Sequence, residues 1–121
     1  MILDEPEVHL GEHVVVPDLG GWRRERMPVT PHAAYVELPP DWVCEVSSPG
    51  TRALDRGDKL RVYAEFGVRN VWLIEPLDRF LEVLRLDGES YRIVQNERGE
   101  AVARLEPFGA IEFDLAVLWQ R

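Results

Sequence analysis

The stretch Asp41–Val68 constrains this chain more than any other. Asp41-Trp-Val-Cys-Glu45-Val-Ser47 is an apolar run interrupted by a carboxylate. Such a run predicts a strand covered on both faces. Ser48-Pro-Gly-Thr51 predicts a sharp turn, with Thr51 placed to cap a helix. Leu54, Leu60, Tyr63, Ala64 and Gly67 follow at helical spacing, and Gly67 is a natural stop. Asn70-Val-Trp-Leu-Ile-Glu75, ended by Pro76, is a second apolar strand. Strand, helix and strand at this length meet the minimum for a parallel crossover unit.

The flanks read more weakly. Glu7–Leu10 and His13–Val16 surround Gly11-Glu12, which predicts a hairpin. Pro17 ends that pairing, leaving Asp18 at the strand's exit. Gly20-Gly21 reads as a turn and Trp22–Met27 as one helical turn. The proline-punctuated segment after Met27 is long for a compact domain, so it is expected to wrap the surface or border a site. Arg79–Leu86, Asp87-Gly88 and Tyr91–Val94 form a second hairpin signal. Ala101–Leu105, Ile111–Phe113 and Leu115–Trp119 close the chain as short strands and a helical turn.

At 121 residues the chain fits a single domain, residues 1–121. No apolar run approaches the roughly 18 residues of a membrane span, and Met1-Ile-Leu-Asp-Glu is not a signal peptide. The expected location is cytoplasmic, with no membrane partner. One cysteine, Cys44, excludes an internal disulfide and a cysteine metal cluster. The net charge of −8 argues against nucleic-acid binding through the whole surface. Arg23, Arg24, Arg26, Arg52, Arg56, Lys59 and Arg61 are concentrated between Trp22 and Arg61, however. A local basic rim and an ordinary solvated surface both fit.

Three residues carry the best clue to chemistry. Burying Glu45 is costly unless a cation or donors compensate, so it is either functional or half of a buried ion pair. Period two puts Glu45 and Ser47 on one strand face, opposite Cys44 and Val46. Lys59 is the only lysine, which suits a site needing a compact ammonium. Its bland alternative is an i, i+4 pair with Asp55. Tyr63 lies one turn further on, bordering the same cleft or simply in the core. Asp18 is a turn residue or a second ligand. Two carboxylates from neighbouring strands plus a lysine suggest a divalent-metal site of the kind that holds Mg²⁺. His9, His13 and His32 show no ligand spacing, and Ser47 and Ser48 lack an acyl-transfer triad.

Pro17-Asp18, Glu45-x-Ser47, Asp55-Arg-Gly-Asp-Lys59-Leu-x-x-Tyr63-x-x-x-Gly67-Val68 and Val71-Trp72-Leu73-Ile74-Glu75-Pro76 together resemble the bacterial Uma-two family of the PD-(D/E)XK nuclease superfamily. The resemblance runs from about Glu5 to Trp119. It implies an α/β fold: a mixed β-sheet with a crossover helix, restriction-endonuclease-like. It also implies Mg²⁺ or Mn²⁺ binding by Asp18, Glu45 and the Val46 carbonyl, with Ser47 and Tyr63 in support. Lys59 resembles that family's displaced catalytic lysine, since Ser47 stands where the superfamily pattern has lysine. Family members usually begin with a further helix and a strand carrying another acid, so an N-terminally shortened core is expected: one that pairs with another copy as a homodimer, lacks catalytic competence, or is one piece of a divided domain. The implied function is divalent-metal-dependent hydrolysis of DNA phosphodiesters. The alternatives are an inactive nuclease-fold remnant acting as a dimerising or nucleic-acid-binding module, and an acidic partner of a basic protein.

Overall fold

The computed structural model describes residues 1–47 and 52–119, with helix side chains from residue 57 onward. The expected strand–helix–strand unit is its centre. Strand β5 spans Trp42–Val46, helix α1 Arg52–Glu65 and strand β6 Asn70–Glu75. The two strands are parallel, with Trp42 opposite Asn70 and Val46 opposite Ile74. Helix α1 ends as its glycine predicts: Gly67 has φ +74°, and Val68 N–H bonds back to Tyr63 O at 3.0 Å. The Thr51 cap lies outside the described residues, as do the side chains of Leu54 and Asp55.

Before β5 come β1 (Ile2–Asp4), β2 (Val8–Leu10), β3 (His13–Val15) and β4 (Leu19–Gly21). After β6 come β7 (Phe80–Asp87), β8 (Ser90–Arg98), β9 (Val102–Arg104), β10 (Glu112–Asp114) and the short helix α2 (Leu115–Leu118). The main sheet is six-stranded and mixed, in the order β1-β4-β5-β6-β7-β8. Only β5 and β6 run parallel in it. The β2–β3 hairpin, turning at Gly11 with φ +61°, and the β9–β10 ribbon form separate two-stranded sheets.

Period two decides what each sheet face buries. Val43, Val71 and Leu73 join Tyr63 and the hairpin residues Val8, Leu10 and Val15 in one core. Trp42, Cys44, Trp72 and Ile74 join Leu81, Val83, Leu105 and Leu115 in the other. Strands β5 and β6 are thus covered on both sides, as their apolar runs require. The proline-rich segment does wrap the body: Val36 bridges to Val8, and Leu38 O accepts from the Trp22 indole at 2.8 Å.

One turn expectation fails. Gly20 and Gly21 are inside β4, between β1 and β5. A Cβ on Gly21 would lie 2.8 Å from Trp42 Cε3, and one on Gly20 3.0 Å from the Trp22 ring. These glycines admit indoles against the sheet, a close approach that composition does not distinguish from a turn.

Candidate active site

The carboxylate of Glu45 emerges near the end of β5 on the α1 side. Tyr63 and Lys59 lie one helical turn apart on the facing stripe of α1, so both side chains reach the same point. The Tyr63 hydroxyl donates to Glu45 Oε1 at 2.5 Å, and Lys59 Nζ donates to Glu45 Oε2 at 3.1 Å. Lys59 Nζ also lies 3.4 Å from Val16 O, at the end of the hairpin. A pocket of about 390 Å³ opens here, bounded by Val14, Val15, Val16, Asp58, Lys59 and Val62.

Asp18 reaches the site by a different route. The β4–β5 ladder begins with Leu19 opposite Cys44, so Val46 extends past the start of β4. Val46 N–H would lose its strand partner there. Asp18 Oδ2 accepts it instead, at 2.7 Å. In a strand, the N–H and C=O of one residue point to the same edge. The Val46 carbonyl therefore faces the edge that carries Asp18. Asp18 is less the exit of β3, which stops at Val15, than the entrance to β4.

The electrostatics follow from this crowding. Burial raises the pKa of Glu45, and the bonds from Tyr63 and Lys59 and the lysine's charge offset part of that rise. The nearby Asp18 carboxylate adds a smaller push in the same direction. Burial, chiefly, and the Glu45 charge hold the Tyr63 phenol well above its ordinary range, so it remains a donor.

Among the expected residues, Asp18, Glu45, Lys59, Tyr63 and the Val46 backbone come together at one end of the sheet. Ser47 sits beside them, with its hydroxyl donating to Ile74 O at 3.4 Å and its N–H to the same carbonyl at 2.9 Å. Lys59 pairs with Glu45, across the sheet–helix interface. His9 stacks on Tyr35 with ring centroids 3.9 Å apart, whereas His13 borders the pocket beside Lys59 and meets the edge of Phe66. Glu75 was not singled out by its sequence, where it merely precedes Pro76. It is buried, and strand parity puts it on the same sheet face as Leu73, one residue beyond Val46's partner Ile74. A buried acid at the end of a central strand is the signal that could have marked it.

The donor set is oxygen throughout: two carboxylates and a main-chain carbonyl. Each carboxylate oxygen has two acceptor sites, so the bonds from Val46, Tyr63 and Lys59 leave capacity for a cation. Among the described residues no cluster of three His, Cys, Asp or Glu is assembled. That chemistry fits Mg²⁺ or Mn²⁺, which take few protein oxygens and complete their shells with water and phosphate.

The model of the Uma2 family, described as "Putative restriction endonuclease", matches residues 2–117. The chain belongs to the Uma2 family. A solved structure described as a "putative nuclease belonging to DUF820" from Anabaena variabilis ATCC 29413 is similar, with a TM-score of 0.74 at 20% identity. The match covers 98% of this chain and 66% of that one. This Uma2 member therefore spans just under two thirds of that relative's length. No curated protein matches it. The mixed sheet and crossover helix are those of the restriction-endonuclease-like fold, as the resemblance implied. Among the described residues no helix is long and apolar enough to cross a membrane.

Proposed function

We propose that this Uma2 chain is a divalent-metal-dependent endonuclease that hydrolyses DNA phosphodiester bonds. The observation that carries this reading is the convergence on Glu45. A lysine from α1 bonds its carboxylate, while Asp18 bonds the next residue's N–H. Three separated segments thus bring two acids and one ammonium together at the end of β5.

Asp18, Glu45 and the Val46 carbonyl would hold Mg²⁺ or Mn²⁺. The bound ion would supply Lewis-acid polarisation of the phosphate and a water of lowered pKa. The chain's own residues do the rest. Tyr63 fixes the rotamer of Glu45 by binding Oε1, leaving the other oxygen to be shared with Lys59. The Lys59 ammonium, about 30% exposed, is open to the pocket and placed to orient a water or offset charge building on a phosphate. Ser47 anchors the end of β5 to β6 and so keeps Glu45 and Val46 in register.

The test is supercoiled plasmid incubated with Mg²⁺ or Mn²⁺. Nicking by the wild-type protein is expected, with loss of at least about 100-fold in Glu45→Ala and Lys59→Ala. Failure of calorimetry to detect either ion on the wild-type protein would remove this reading. DNA binding without cleavage, unchanged in Glu45→Ala, would support the inactive-remnant reading instead.

A further inference from the structure

The pocket of about 390 Å³ has two walls, one from the β2–β3 hairpin and one from α1. Which edge of β3 faces it follows from the hairpin's pairing. His9 stands opposite Val14, yet its N–H bonds to Val36 O at 2.8 Å, on the outer side of β2. The His9–Val14 pair is therefore the kind in which each residue turns its N–H and C=O away from the other. Val16, two residues on, repeats the orientation of Val14, and its carbonyl accepts from Lys59 Nζ at 3.4 Å. The Val14 N–H and C=O thus point toward α1. Among the described residues no strand but β2 pairs with β3, so this edge is unmatched.

The edge is open to solvent. Val14 is 59% exposed, Val16 45% and the His13 side chain 48%. The Lys59 ammonium carries three protons, and Glu45 Oε2 and Val16 O take two of them. An outward strand N–H and a free ammonium proton are therefore offered to the same accessible space.

The acids of this wall narrow the class of ligand. Asp58 lines the pocket 3.9 Å from Arg61, and Glu65 stands 3.9 Å from His13. These carboxylates repel a small free anion, for which two donors are a weak reward. An anion carried on a chain already lying at Glu45 arrives at high effective concentration, and two donors then suffice. Main-chain N–H groups and lysines are ordinary partners of nucleic-acid phosphates.

We propose that the Val14 edge of β3 binds the phosphate next to the scissile one in a DNA strand. The Val14 N–H and the free Lys59 proton hold that phosphate's oxygens. Lys59 links the two positions, because its ammonium reaches Glu45 and Val16 at once. The proposal rests on the reading of the Glu45 end as the place where a DNA strand lies, and it adds the path that strand takes.

The test uses the full chain with Ca²⁺ and short DNA strands, read by fluorescence anisotropy. Every linkage is a neutral methylphosphonate except one native phosphate, two adjacent ones, or two set far apart. The adjacent pair should bind about tenfold tighter than the single phosphate, and the separated pair should show no such gain. Val14→Pro removes the outward N–H and no ladder bond, which edge positions tolerate. It should erase the gain, with an unchanged urea midpoint as the check on folding. Val14→Leu, which keeps the N–H, should retain the gain, and Lys59→Gln should reduce it. If Val14→Pro does not fold, the adjacent-against-separated comparison and Lys59→Gln give the answer. No gain from adjacency, a gain that survives Val14→Pro or Lys59→Gln, or no binding of any strand would each overturn the proposal. Cleavage of native duplex in Mn²⁺ is measured alongside. Binding with the full gain but without cleavage removes the endonuclease reading and leaves this contact standing.

Discussion

The Tyr63 hydroxyl donates to Glu45 Oε1 at 2.5 Å from a ring that is itself fully buried. Helix α1 thereby pins the carboxylate of β5 through a neutral donor, while Lys59 supplies the charge from one turn earlier. Removing the donor separates these contributions. Tyr63→Phe keeps the ring's packing but leaves Glu45 to Lys59 alone, at an expected cost of about 1–3 kcal/mol in urea denaturation. Plasmid cleavage should fall while metal affinity changes little.

Glu45 also predicts a pH dependence. Its folded-state pKa is raised, chiefly by burial, so the folded state binds its proton more tightly than the unfolded chain does. Its contribution to stability is therefore fully present below the unfolded carboxylate pKa and lost as pH rises through the folded value. Glu45→Gln removes this titration. In EDTA, the stability of Glu45→Gln relative to wild type should increase as pH rises from the ordinary carboxylate range toward neutrality. A difference that stays flat would contradict the assigned direction.

Glu106 gives the opposite sign. Arg85 grips both its carboxylate oxygens, at 2.9 and 2.8 Å, and Asn70 adds a further bond. The bond from Arg85, ahead of that from Asn70, holds the Glu106 pKa down at about 2. That stabilisation is present above the unfolded carboxylate pKa and is lost as pH falls toward about 2. Glu106→Gln should lower the melting temperature at neutral pH and flatten the acid limb of the stability curve.

Asp18 has a structural duty and a proposed chemical one, which two substitutions distinguish. Asp18→Asn retains an acceptor for Val46 N–H, so it should fold with near-wild-type stability yet lose metal affinity and cleavage. Asp18→Ala should lose both and also cost about 1–2 kcal/mol, because Val46 N–H is left to water or to nothing. Calorimetry with Mn²⁺ and chemical denaturation, measured on both variants, separate the effects.

Gly21→Ala tests the reading of β4 as a close-packed strand. Its Cβ would meet the Trp42 ring at 2.8 Å, inside normal contact. Overpacking of this kind costs about 1–3 kcal/mol, measurable as a lower urea midpoint at unchanged m-value.

The crossover unit was legible because its signals are local. Apolar runs specified β5 and β6, helical spacing and Gly67 specified α1, and period two set Glu45 on the face that α1 covers. The three-residue strands β1 and β4 were not legible. They are too short to show a period, and the glycines of β4 resemble a turn until the indoles packed on them are seen. The Arg85–Glu106–Asn70 network was also hidden, since it joins β7, the loop after β9 and β6 without any shared motif.

The sequence by itself determined which residues are presented by β5 and α1: Glu45 on one strand face, with Lys59 and Tyr63 on one helical stripe. Backbone periodicity requires only near neighbours, so these faces are readable in order along the chain. Tertiary structure alone decided that Asp18 meets Val46 across 28 residues, and that the outer edge of β3 faces Lys59. Those encounters depend on strand register, and register is set by the simultaneous burial of all the strands rather than by any segment within it.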